Sequence, residues 1–162
     1  MTRVVLDADF LSSFLKIDRL ALVQGYYRSE TLLIPPAVHR EVSLTQLSAT
    51  LANLAWVLVE TPDVGTLQNI LRRPELQGLG SGECEAMALA LQVEGSVLLM
   101  NDNQARARAT RLGLDPVSVP TFLLACKHNG VLAGEEVAAV VQELQQKDRY
   151  GFRKAVLDLL LS

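Results

Sequence analysis

A chain of 162 residues has the length of a single domain, and 49% hydrophobic against 20% charged residues excludes a disordered segment. The net charge of −3 gives no basic signature of a nucleic-acid binder, yet leaves room for a locally acidic metal site. The two cysteines, Cys84 and Cys126, form no CxxC pair, which speaks against a disulfide framework or a zinc site and suits a reducing cytoplasm.

With aromatics at only 5%, the core must be built from Leu, Val, Ile and Ala. Val4-Val5-Leu6 is a short β-branched run that predicts a buried strand. It meets Asp7 at once and is too short for a signal peptide, and no stretch reaches the roughly 18 apolar residues of a membrane span. From Asp9 to Gln24, Phe10, Phe14, Ile17, Leu20 and Leu22 recur near helical spacing. Leu32-Leu33-Ile34 predicts a second strand, stopped by Pro35-Pro36, which are suited to open the helix carrying Val38, Glu41 and Val42. A further helix is expected around Leu44 to Leu54, a β-like stretch from Trp56 to Glu60, and a short helix from Thr66 to Arg73. Gly78-Leu79-Gly80-Ser81-Gly82 reads as a loop, followed by an Ala-rich helix from Glu83 to Val93. Val97 to Met100 predicts a strand and Asn103 to Leu112 a helix capped by Gly113. Pro116 to Val119 predicts a last short strand, and helices near Thr121–Asn129, Gly134–Gln146 and Tyr150–Leu161 close the chain. Strands alternating with helices imply an α/β fold with a mostly parallel sheet covered on both faces. Residues 1–130 are expected to form the core and 131–162 a helical extension of the same domain, with 147–151 as a hinge.

Asp7 and Asp102 each follow a predicted strand directly, where open parallel sheets bind their ligands. Asp is also a favoured N-cap, so either residue alone is as well explained by capping. Glu41 lies one turn into its helix, where a carboxylate also suits the dipole. Glu83 and Glu85 open the helix after the Gly-rich loop, and Ser81 is placed to cap it. Being two apart, the glutamates diverge by about 200° on a helix. Ala86, Ala88, Leu89 and Ala90 mark the packed side, so Glu83 is taken as inward and Glu85 as its solvated neighbour. Clustered acids repel one another, and a divalent cation resolves that repulsion. Mg²⁺ and Mn²⁺ take oxygen ligands and keep several waters, and such an ion activates water against a phosphodiester.

The stretches VVLDADFLSSFL, IPPAVHREV, GLGSGECEAMALALQ and VLLMNDNQARARATRLGL, running from Val4 to about Leu114, resemble the PIN domain family. Within it they are similar to the small prokaryotic branch of VapC-type toxins and their relatives. The resemblance implies a three-layer α/β/α sandwich and cleavage of single-stranded RNA with Mg²⁺ or Mn²⁺. By resemblance, Asp7, Glu41, Glu83 and Asp102 take the family's acidic, metal-holding positions. Asp9, Ser81, Glu85 and Asn101 would support them from nearby. Asp9 stands where many relatives have a small hydroxyl residue, and Asn101 where they often carry a second acid. The implied partners are RNA and, for a toxin, an antitoxin protein. Leu, Val and Ala stripes near both ends of the chain suggest a homodimer.

Arg106, Arg108 and Arg111 follow Asp102 and are the candidate RNA contacts, though ordinary solvated helix faces would look the same. His39 and His128 are isolated and read as surface or interface residues rather than ligands. Two readings compete with the nuclease. One is a PIN-like module that binds RNA or protein without cutting. The other is a haloacid-dehalogenase-like phosphatase, suggested by Leu6-Asp7-Ala8-Asp9. That phosphatase needs a lysine between its acidic motifs, and none lies between Lys16 and Lys127.

Overall fold

Four apolar triplets, Val4–Leu6 (β1), Leu32–Ile34 (β2), Val57–Val59 (β3) and Val97–Leu99 (β4), form one sheet in the computed structural model of the chain. Residues 2–162 are described, and Met1, at the head of the expected core, lies outside them. The strands run parallel in the order β3-β2-β1-β4, with Val5 opposite both Leu33 and Leu98. The chain first winds outward from β1 to β2 and β3, then crosses back to lay β4 on the other side of β1. The order therefore reverses between β1 and β4, and a crevice opens at their carboxyl ends.

Alternation along these strands sends side chains to two separate cores. Val4, Leu6, Leu32, Ile34 and Leu99 face one layer of helices, while Val5, Leu33 and Leu98 face the other. The first layer holds Ala8–Lys16 (α1) and Leu20–Tyr27 (α2). It also holds Val119–His128 (α8), Gly134–Lys147 (α9) and Lys154–Leu161 (α10). Its centre is aromatic despite the low aromatic content: Phe10, Phe14 and Phe122 pack with ring centroids 5.1–5.9 Å apart. The second layer holds Val64–Leu71 (α5), Ser81–Gln92 (α6) and Asn103–Arg111 (α7). Pro36–Ser43 (α3) lies along α6, and the short Ser48–Ala52 (α4) follows it. The result is the three-layer α/β/α sandwich with a parallel sheet. No described helix is long and apolar enough to cross a membrane.

Local structure departs from the sequence expectation at several points. The helix expected over Asp9–Gln24 is two helices. Asp18 adopts a left-handed φ of 56°, and Arg19 and Asp18 donate to the carbonyls of Phe14 and Leu15, which closes α1 as a Schellman turn without glycine. Between Leu44 and Leu54 only Ser48–Ala52 is helical. Pro116–Val119 is not a strand. Val117 alone bridges to Leu99, and Ser118 then caps α8 through Thr121 N–H. The last helix begins at Lys154 rather than Tyr150. Gly113, at φ 86°, follows α7 as expected.

Val137, Val140, Val141 and Leu144 of α9 are fully or nearly fully buried in the same cluster as Val4 and Leu6. The expected hinge is docked on α1: Asp148 accepts from the Ser13 hydroxyl at 2.6 Å and from Lys16 Nζ at 2.8 Å. Lys127 Nζ reaches the carbonyls of Leu159, Leu160 and Ser162 and closes the end of α10.

Candidate functional site

Asp7 continues β1 into the crevice, its N–H held by the Leu99 carbonyl at 2.9 Å. The residue is only 2% exposed. Oδ1 accepts from Phe10 N–H at 2.8 Å, capping α1, and Oδ2 accepts from Asn101 N–H at 3.3 Å. Burial pushes its pKa up to about 7; the Asp9 and Glu83 charges push the same way, and the two amides pull it back. Asp102 follows β4, and its Oδ2 accepts from Ala105 N–H at 2.8 Å, capping α7. Both strand-end acids are therefore helix caps, as the simpler reading of each required. Capping also aims both carboxylates into one crevice.

Glu83 sits in the first turn of α6, half-buried, with Oε1 accepting from Gly80 N–H at 3.1 Å. Its pKa is raised, first by burial and then by the charges of Asp102, Asp9 and Glu41. Gly82 explains how α6 comes this close to α3, since a Cβ there would lie 3.2 Å from Val38 Cγ2. That approach sets Glu41, exposed on α3, across from Glu83. Asp9, in the first turn of α1, reaches solvent, yet the protein wall behind it and the Asp102 charge raise its pKa. Asp7, Asp9, Glu41, Glu83 and Asp102 together line a cavity of about 260 Å³, walled also by Gly78, Leu79 and Gly80, by Gly82 of α6 and by Gln104.

Other expected residues lie elsewhere. Ser81 is not the cap of α6 but its exposed first residue; Gly80 takes the cap position. Glu85 is half-buried rather than solvated, and its Oε1 accepts from Ala37 N–H at 3.1 Å, closing the open start of α3. The side chain of Asn101 serves the scaffold. Its Oδ1 accepts from Val119 N–H at 3.2 Å and from the Tyr150 hydroxyl at 2.7 Å. Arg108 turns away to the Gln77 carbonyl at 3.1 Å, and exposed Arg111 lies near Glu75. Arg106 lines a second cavity beside Asp102 with Tyr150 and Arg153. Sequence reading missed Gln104, Tyr150 and Arg153. A glutamine beside the second acid was the one local signal; the other two lie far along the chain.

Among the described residues no three acids or other ligating side chains close on a single point. They surround a cavity instead, and Glu83 and Asp102 each leave one oxygen unused by their caps. A hard, all-oxygen set spaced around a cavity fits Mg²⁺ or Mn²⁺ that retains part of its water. Comparisons with curated proteins and with solved structures give no match. A model described as a PIN domain matches residues 3–162. With the reversed parallel sheet and the acids at its crevice, that match over nearly the whole chain establishes that the protein belongs to the PIN domain family.

Proposed function

We propose that this chain is a Mg²⁺- or Mn²⁺-dependent endoribonuclease that cuts single-stranded RNA in the crevice between β1 and β4. PIN domains are generally nucleases and generally use divalent metals. The observation that carries the reading is the convergence of Asp7, Asp9, Glu41, Glu83 and Asp102 on one cavity, with the innermost, Asp7, buried and without a basic partner among the described residues. Isolated buried carboxylates are costly, and a fold keeps them where they are used.

In this reading Asp7 and Asp102 would hold the cation, with Glu83 and Glu41 completing the ring, and a bound ion would supply an activated water and compensation for the charge on the phosphate. The protein supplies position. Phe10, Asn101 and Ala105 N–H groups fix the two aspartates, and Gly80 N–H fixes Glu83. No lysine lines the cavity, which disfavours the phosphatase alternative; Lys16 is engaged with Asp148.

The test is cleavage of mixed single-stranded RNAs with Mg²⁺ or Mn²⁺. Asp7→Asn and Asp102→Asn should each lose more than the roughly 10–100-fold that removal of an outer-shell partner costs. Cleavage that persists in both variants, or that proceeds equally in chelator, rejects the reading.

A further inference from the structure

Asp102 lines two cavities. Beyond the acidic one lies a second of about 500 Å³, within the range of roughly 300–1,000 Å³ typical of ligand sites. Its other charged side chains are Arg106 and Arg153. Among the described residues neither arginine has an acidic partner within ion-pair distance. Arg106 Nη2 is engaged by Asn103, but its Nε is buried with no partner. Nε is closed to a ligand in this conformation, but Nη1 makes no hydrogen bond and is not buried, and a phosphate oxygen is the acceptor that the guanidinium suits. Ser118, Pro120 and Thr121, at the start of α8, form another wall. The amides of Val119 and Thr121 are already taken by Asn101 and Ser118, so α8 adds the positive end of its dipole rather than free donors. Tyr150, Leu124 and Val156 supply a ring and an apolar face.

We propose that this cavity holds the nucleotide next to the scissile bond of a single-stranded RNA, with its phosphate between Arg106 and Arg153 and its base against Tyr150, Leu124 and Val156. The inference rests on the nuclease reading of the acidic cavity and names its substrate subsite. The strand passes over Asp102, its backbone held by arginines on one side and cut on the other. The C-terminal segment from Tyr150 to Val156 then becomes part of the RNA-binding surface. An acidic peptide would satisfy the arginines, but it would leave the ring and apolar wall without a planar base to cover.

Anisotropy of a short fluorescein-labelled oligouridine, in EDTA and over a series of salt concentrations, tests this. Arg153→Gln and Arg106→Gln should each weaken binding about five- to tenfold and flatten the salt slope by about one. Arg28→Gln, the same charge change at an exposed site lining neither cavity, should do neither. Arg153 is exposed, so its variant keeps the fold should Arg106→Gln prove unstable. Failure of the wild type to bind, wild-type affinity in Arg153→Gln, or an equal loss in Arg28→Gln overturns the subsite. Where cleavage is present, Arg153→Gln should raise KM with kcat little changed. An unaltered KM refutes the subsite and leaves the nuclease standing. RNA binding that depends on these arginines without any cleavage retains the RNA-binding cavity and removes the nuclease.

Discussion

The Asp7 carboxylate accepts two backbone N–H groups and still has its pKa raised to about 7, because burial and the neighbouring acids outweigh both bonds. That value lies above the ordinary one, so the native chain keeps a proton that the unfolded chain has lost. Stability from this group is full below about pH 4 and disappears as pH rises through 7. Asp7→Asn keeps a cap for Phe10 and removes the charge, although one of its side-chain atoms becomes a donor facing Asn101 N–H. In metal-free protein the substitution should stabilise by roughly 1–3 kcal/mol at pH 8 and by much less at pH 4. Thermal unfolding at the two pH values measures it, and an equal shift at both refutes the burial argument. On the proposed nuclease reading the same substitution should abolish cleavage, measured on the same single-stranded RNAs.

The pairing of α3 with α6 decides where Glu41 and Glu83 sit. Two contacts set it: Glu85 on Ala37 N–H at 3.1 Å, and the bare Cα of Gly82 against Val38. Glu85→Ala leaves the first turn of α3 open and should cost about 1 kcal/mol in urea unfolding, with Glu85→Gln recovering most of it. Gly82→Ala brings opposing terms. Alanine is favoured over glycine in a helix by up to about 1 kcal/mol, while a Cβ at 3.2 Å from Val38 Cγ2 forces the helices apart. We expect net stability to change by less than about 1 kcal/mol while cleavage falls several-fold, because the carboxylates separate. Activity equal to wild type would show that the cavity tolerates a wider α3–α6 spacing.

The C-terminal segment belongs to the first helical layer in packing terms. Val137, Val140, Val141 and Leu144 are buried against it; Asp148 and Tyr150 tie the segment to α1 and Asn101, and Lys127 of α8 holds the end of α10. Burial of such side chains contributes about 1.5–3 kcal/mol each. Four of them rival the whole stability of a domain, about 5–15 kcal/mol. A chain ending at residue 130 should therefore fail to unfold cooperatively by circular dichroism. A cooperative transition in that fragment would mark residues 131–162 as a dispensable appendage. Asp148→Ala should cost about 1–2 kcal/mol, since the Ser13 hydroxyl loses its acceptor, and should speed proteolysis after Lys147 and Arg149.

The sequence by itself determined what depends on near neighbours. Short apolar runs and one alternating stretch marked the four strands, although Pro116–Val119 carried the same signal and forms only a single bridge; Pro36 opened α3, and an acid directly after a strand both capped the next helix and marked the crevice. Those signals act within about four residues, so spacing exposes them. The break at Asp18 stayed hidden because an aspartate, not a glycine, took the left-handed turn. Only the tertiary structure decided that Glu85 faces α3, that Asn101 braces Tyr150 and Val119, and that Arg153 lines one cavity with Arg106. Tyr150 and Asn101 are 49 positions apart, and Glu85 and Ala37 are 48 apart. No local periodicity links such pairs; they meet because the sheet reverses its strand order and packing then brings distant helices to the same edge.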